Sequence, residues 1–137
     1  MDKQLPTRSQ VPTELTWDLT LLFENDQAME AALEKTQAKA SELAKQAGTI
    51  TSADRLLAVL TAAKEIDEEL EQEYVYAFLR RDSDTTDAVA TALFGKAAQA
   101  ATTIETALAF IDPEILALDP DQLANWQASE PGLAQFK

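Results

Sequence analysis

Glycine is the residue whose scarcity most limits the folds open to this chain, because only Gly48, Gly95 and Gly132 occur among 137 residues. The tight turns that join β-strands depend on glycine where φ must be positive, so a sheet with several hairpins is disfavoured. Alanine, leucine, glutamate and glutamine are abundant instead, and all four favour helix. The sequence therefore predicts an all-α protein.

Apolar and small residues recur at helical spacing in three long stretches joined by short links. The helices are expected over residues 26–46, 52–81 and 85–111, capped by Asp26, by Thr51 or Ser52, and by Asp84 or Thr85. The inward residues are expected to be Met29, Leu33, Thr36, Ala40, Leu43 and Ala47; Leu56, Leu60, Ala63, Ile66, Leu70, Tyr74, Ala77 and Phe78; and Val89, Leu93, Ala97, Ala100, Ile104, Leu108 and Ile111. Because the links are short, the helices are predicted to pack as antiparallel neighbours. A left-handed Gly48 is expected to end the first.

Prolines mark both ends of the predicted bundle. Residues 1–15 contain two of them and are expected to form an extended arm. Asp112-Pro113 and Asp119-Pro120 each predict the start of a short helix, with the acid as cap and proline as the first helical residue. The predicted architecture is an antiparallel bundle of three long helices, with short helices at the carboxy-terminal end, in a single domain over residues 16–137.

Charge and the absence of two residue types exclude several functions. The chain has twenty-four acidic and eleven basic residues, which gives a net charge of −13. A charge of this sign repels phosphate backbones and anionic lipid. The chain contains no cysteine and no histidine, so thiolate, Ser-His-Asp and HExxH chemistries are excluded. We expect no nucleic-acid or membrane partner, and we assign no catalytic, cofactor-binding or metal-binding residue. No signal peptide or bilayer-spanning stretch is recognised, so a cytoplasmic location is expected.

An acidic stripe is the strongest local feature of the predicted second helix. Glu65, Glu69 and Glu73 follow at intervals of four and should lie on one face. The stripe is either a docking surface for a basic partner or a hard cation, or simply a solvated face, and the solvated face is favoured.

The aromatic residues allow two interpretations each. Tyr74 and Phe78 could form a stacking platform, but their position on the apolar face favours a role in the core, and Tyr76 is assigned none. Trp17 and Trp126 could anchor an interface or pack the terminal segments onto the bundle. Acids near the short helices, such as Asp112 and Glu114, are explained by capping.

Three stretches resemble the amino-terminal region of the oligoendopeptidase F family, a group of thimet-oligopeptidase-like zinc peptidases. They are LPTRSQVPTELTWDLTLLFEND (Leu5–Asp26), YVYAFLRRDSDTTDAV (Tyr74–Val89) and FIDPEIL (Phe110–Leu116). The resemblance implies an all-α, cytoplasmic parent protein that cleaves oligopeptides inside a channel. It also implies that zinc and the HExxH helix belong to a catalytic carboxy-terminal domain, which would be a partner of this region.

By this resemblance the chain is the non-catalytic wall of the channel, inactive alone, and a piece of a longer enzyme. A surface meant for the missing half would then promote self-association. Two alternatives remain from other classes: a free-standing acidic adaptor that binds partner helices, and a structural spacer.

Overall fold

A computed structural model describes residues 4–136 and confirms the all-α class. The long helices are α1 (Asp26–Ala44), α2 (Ala53–Ser83) and α3 (Ala88–Leu108), and the short ones are α4 (Ile111–Leu116) and α5 (Pro120–Ser129). Single 3-10 turns lie at Arg8–Gln10, Thr13–Leu15, Leu19–Leu21 and Pro131–Gln135. Residues 4–136 contain no β-strand, and no helix within them is long and apolar enough to cross a membrane. Residues 1–3 of the predicted arm, and Lys137, lie outside the described part.

Consecutive long helices run antiparallel, as predicted. The contacts that establish these directions are Asp26–Arg80 and Lys39–Glu69 between α1 and α2, and Arg80–Asp87 and Tyr74–Phe94 between α2 and α3. Since α1 and α3 both oppose α2, they run parallel to each other. With 31 residues, α2 extends about 46 Å and is longer than either neighbour.

The core consists of two apolar clusters stacked along the bundle. One cluster comprises Ala40, Leu43, Ile50, Leu56, Val59, Ile66, Ile104, Ile111 and Leu133. The other comprises Met29, Leu33, Tyr76, Ala77, Leu93, Ala97 and Ala100. Leu70 packs against both. Between the clusters lie the two buried polar residues of the described chain, Thr36 on α1 and Glu73 on α2.

Three of the predicted helix caps need correction. Asn25, not Asp26, caps α1 by accepting a hydrogen bond from the backbone N–H of Ala28, which leaves the Asp26 carboxylate free to bind elsewhere. Asp87, not Asp84 or Thr85, caps α3. The helix α4 begins at Ile111, so Asp112 lies inside its first turn and is not the cap. Short polar residues are frequent in all three links, and the backbone path selects one among them.

Most other local predictions are confirmed. Ser52 caps α2 by accepting from the N–H of Arg55, and Asp119 caps α5 with Pro120 following it. Gly48 adopts a φ of 80°, as predicted, a conformation that other residues rarely tolerate. Its predicted position was wrong, because α1 ends at Ala44 and Gly48 lies in the link that follows. Gly132 permits a close approach, because a Cβ there would lie 2.9 Å from Leu57 Cδ2.

Most predicted inward positions are buried or half-buried, with three exceptions. Val89 is 64% exposed and Phe78 is 40% exposed. Ala47 is also exposed, because α1 ends before it. Val89 lies in the first turn of α3, where the neighbouring Ala90 is fully buried instead, so the predicted seam was one residue out of place in that turn.

Leu93 and Val89 are four residues apart on α3 and were both predicted to face inward, yet only Leu93 is buried. We expect Leu93→Ala to lower the free energy of unfolding by about 2–5 kcal/mol, because it leaves a cavity in the core. The matched control, Val89→Ala, should change it by no more than about 0.5 kcal/mol. Urea unfolding followed by circular dichroism measures both values, and equal losses would contradict the assigned seam.

Candidate functional site

No cluster of potential metal ligands is present in residues 4–136: no three His, Cys, Asp or Glu side chains are grouped to hold an ion. The candidate functional features are therefore surfaces and buried polar groups. We describe in turn a charged network at one end of the bundle, a buried carboxyl group at its centre, and a groove along α2 and α3.

A hydrogen-bonded network joins the beginning of α1, the end of α2 and the beginning of α3. Arg80 Nη2 lies 3.2 Å from Asp26 Oδ2, and Arg80 Nη1 lies 2.9 Å from Asp87 Oδ2. The Tyr76 hydroxyl donates to Asp26 Oδ1 at 2.7 Å. The hydrogen bond to Arg80 holds the pKa of Asp87 below its usual value, helped by the N–H groups that Asp87 caps. Asp26 and Arg80 thus have a structural role, because they connect the ends of three helices.

Tyr76 is a correction to the sequence analysis, which assigned it no role. Only 4% of its surface is exposed, and its ring meets Phe23 edge to face with centroids 5.5 Å apart. Burial, together with the hydrogen bond to Asp26, raises the pKa of Tyr76 to about 12. Tyr76 is thus a core residue whose hydroxyl stays protonated.

Glu73 is the second correction, since the acidic stripe was predicted to be a solvated face. Its side chain is 2% exposed, and its Oε1 accepts a hydrogen bond of 2.6 Å from the Thr36 hydroxyl. Its other oxygen, Oε2, accepts no hydrogen bond from any group in residues 4–136. Burial raises the pKa of Glu73, an effect that the Thr36 hydrogen bond partly offsets. The remaining stripe differs: Glu65 is exposed, while Glu69 pairs with Lys39 at 2.5 Å.

A shallow groove runs between α2 and α3 on the side of the bundle away from α1. We call it the α2/α3 groove. It consists of two adjoining recesses of about 590 and 510 Å³, which share Asp67, Glu71 and Glu105. Its floor is apolar or small, and the residues that form it include Leu60, Ala63, Leu70, Ala98, Ala101 and Leu108. The groove follows the two helices, with Phe136 lining one end, so its shape suits an elongated ligand.

The rim of the groove is strongly acidic. It carries the carboxylates of Asp67, Glu71, Glu105, Glu68 and Asp112, and the only cation among the residues described as lining it is Lys64. Partial desolvation in the groove raises the pKa of Asp67, although the residue is exposed, and the charge of Glu105 adds to the effect. Sequence reasoning missed the groove, because its acids come from two helices and Glu105 reaches the rim from α3.

Apolar side chains are exposed along the amino-terminal segment, which we define as residues 4–25. This segment is attached through Leu19, Leu22 and Phe23, which pack against the second core cluster. Its four largest exposed apolar side chains are Leu5 at 86%, Leu15 at 74%, Trp17 at 64% and Leu21 at 83%. Trp126 is different, because it packs against the first core cluster. The segment therefore presents an apolar surface that residues 4–136 do not cover.

Comparison with known proteins finds related peptidases. The chain is 36% identical over 121 residues to oligopeptidase PepF of Bacillus subtilis, in an alignment that covers 88% of this chain and 18% of that protein. It is 34% identical over 111 residues to the chromosomal oligoendopeptidase F of Lactococcus lactis subsp. cremoris, covering 80% of this chain and 18% of the relative. No protein-family model matches the chain.

A solved structure has the same fold. It is the crystal structure of a provisionally assigned peptidase from Chlamydophila abortus, with a TM-score of 0.77 and 26% identity. The similarity covers 96% of this chain and 22% of that one. The chain thus spans about a fifth of the length of the proteins that it matches. These similarities confirm the resemblance predicted from the three sequence stretches.

The buried carboxyl group of Glu73 yields a prediction about pH. Because its pKa is raised in the folded chain, folding binds a proton between the ordinary value of 4.5 and the higher folded value. The contribution of Glu73 to stability therefore falls as the pH rises through that interval. Glu73→Gln keeps the acceptor for Thr36 and removes the charge, so we expect the variant to be more stable than the wild type at pH 7. The difference should shrink towards pH 4.

Thermal unfolding of both proteins across this pH range measures the difference. The charged groups around Glu73 are Glu69 and Lys39, and both are unchanged in the variant. The control is Glu65→Gln, which removes an exposed carboxylate from the same stripe and should alter stability by less than about 0.5 kcal/mol. A Glu73→Gln variant less stable than the wild type at pH 7 would mean that the carboxylate is compensated in the folded chain.

Proposed function

We propose that this chain, which is homologous to the amino-terminal part of the oligoendopeptidase F (PepF) family over most of its length, is the non-catalytic wall of a larger zinc-dependent oligopeptidase. The observation that carries the proposal is a match in sequence and fold that covers nearly the whole chain. The matched region makes up about a fifth of the length of each relative, and these relatives are named as peptidases. In this proposal the longer protein hydrolyses short peptides in the cytoplasm.

The chemistry would be supplied by polypeptide that follows this region. A zinc peptidase of the HExxH type needs two histidines as ligands and a glutamate as general base, and this sequence contains no histidine. The contribution of the chain would then be steric. A rigid helical wall excludes folded proteins from an enclosed site and admits extended peptides.

The amount of exposed surface supports a role within a larger protein. The chain exposes 9174 Å², whereas a compact monomer of 15.0 kDa exposes roughly 7,000 Å². The excess of roughly 2,000 Å² is comparable to the area buried in a large protein interface. The exposed apolar side chains of the amino-terminal segment are a natural part of that interface, with the catalytic domain as the partner.

The adaptor remains the second candidate, and one observation favours it. A run of exposed apolar side chains such as Leu15, Trp17 and Leu21 could equally bind a separate protein. The two functions differ in a simple property, since an adaptor retains a stable partner by itself and a channel wall does not.

The proposal predicts a clear division of activity. We expect the 137-residue chain to leave an internally quenched peptide intact, and a longer protein that includes the following polypeptide to cleave it. A chelator should abolish the cleavage, and added zinc should restore it, because zinc activates the attacking water. Cleavage by the purified 137-residue chain, or a longer protein that is inactive with zinc, would overturn the proposal.

The exposed amino-terminal segment also predicts self-association of the isolated chain. We expect dimers or larger species at high concentration, and fewer of them in the variant Leu15→Ser/Leu21→Ser, because the apolar area available for contact falls. Leu116→Ser is the control, since Leu116 is 85% exposed but lies outside the segment. Sedimentation equilibrium measures the association. A strict monomer at millimolar concentration would contradict the prediction.

A further inference from the structure

We propose that the α2/α3 groove binds extended oligopeptides that carry lysine or arginine side chains, and so gives the protein a preference for cationic peptides. This inference rests on the proposed function, because it names the class of peptide that the wall would favour.

The first argument is that three acids shared by both recesses of the groove lack the ion-pair partners found on other faces of the bundle. Within residues 4–136, no Lys or Arg nitrogen lies within 4 Å of the carboxylates of Asp67, Glu71 or Glu105. Ion pairs between helices form elsewhere, and these are Lys39–Glu69, Lys96–Glu30, Arg80–Asp26 and Arg80–Asp87. Among residues 4–136, the rim of the groove therefore carries five acids and one basic residue, Lys64, which lies 3.9 Å from Glu68.

The groove also has the shape of a peptide-binding surface. It follows α2 from Leu60 to Val75, a length of about 22 Å at 1.5 Å per helical residue. An extended peptide rises about 3.3 Å per residue, so about six or seven residues fit along it. The small side chains of Ala63, Ala98 and Ala101 keep the floor low between the helices.

The combination of floor and rim selects the side chains of the ligand. Lysine and arginine carry apolar stems, which can pack on Leu70 and Leu108 while the charged heads reach carboxylates at the rim. A second copy of this chain is a poor occupant, because it brings a net charge of −13 to a negative surface. A cationic peptide is the occupant whose charge and dimensions both match.

The direct test measures peptide binding to the 137-residue chain by fluorescence anisotropy. The probes are two labelled peptides of about seven residues with the same apolar residues, one carrying three lysines and the other three glutamates. We expect the basic peptide to bind more tightly, and its affinity to fall between about 0.01 M and 0.3 M salt because screening weakens the attraction. In the groove variant Asp67→Asn/Glu71→Gln/Glu105→Gln, affinity for the basic peptide should fall about tenfold.

A matched variant separates the groove from the overall charge. Glu14→Gln/Glu24→Gln/Glu34→Gln removes three exposed carboxylates elsewhere and gives the same net charge as the groove variant. We expect it to lose less than about twofold in affinity. Circular dichroism checks that both variants remain helical. Equal losses in the two variants, or equal binding of both peptides to the wild type, would overturn the assignment of the groove.

Kinetics of the longer protein distinguish this inference from the proposed function. If the longer protein cleaves peptides with zinc, the groove variant should raise KM for the basic peptide and leave KM for the acidic peptide nearly unchanged. An unchanged preference for the basic peptide would refute the groove while the proposed function stands. If the longer protein is inactive, the proposed function fails, and the anisotropy of the 137-residue chain still decides whether the groove binds cationic peptides.

Discussion

Everything in this fold depends on burying one apolar seam from each of three consecutive helices against the other two. The seam of α3 shows the constraint most clearly, since Ala90, Ala97 and Ala100 contribute small side chains and Leu93 and Ile104 contribute large ones. Small residues let helices approach closely and large ones fill the spaces between them. Short links then leave an up-down-up arrangement as the natural way to bring the three seams together.

Two polar residues interrupt this apolar core and divide it in two. Thr36 occupies a seam position on α1, and the Glu73 carboxyl group lies opposite it on α2. The hydrogen bond between them survives either protonation state of Glu73, because a hydroxyl can donate to a carboxylate or accept from a carboxylic acid. A pair of this kind costs desolvation energy, and here it links α1 and α2 across the core.

The distribution of charge distinguishes the faces of the bundle. Acids beside α1 lie close to basic partners, as Glu69 does to Lys39 and Glu30 to Lys96. Between α2 and α3, Asp67, Glu71 and Glu105 have no such partner within the described residues. The raised pKa of Asp67 reflects its partial desolvation and the nearby charge of Glu105. Net charge alone would describe the chain as uniformly acidic. The structure instead concentrates unpaired charge beside an apolar floor, which is the combination that peptide recognition uses.

The candidate surfaces were harder to predict than the fold. Glu73 belongs by spacing to a stripe that includes the exposed Glu65, so the charge pattern predicted that its side chain would be solvated. The signal that could have revealed a buried polar partner was Thr36, a threonine in the apolar seam of α1. The burial of Tyr76 and Phe78 was predicted the wrong way round: Tyr76 is buried and Phe78 is partly exposed. The reason is similar, because α2 is covered on more than one side and the width of its buried face depends on its neighbours. The groove itself joins acids from two helices, and Glu105 lies more than thirty residues along the chain from Asp67 and Glu71.

The amino-acid sequence by itself determined the helical class, the number and approximate bounds of the long helices, the antiparallel order and the family resemblance, because these follow from local propensity, periodicity and link length. Tertiary structure alone decided which of several capping acids is used, which carboxyl group is buried, and where unpaired charge meets apolar surface. The physical reason is that burial and pairing are properties of two helices at once. The spacing of residues along one helix defines its faces, but only the position of its neighbours decides which of those faces meets water.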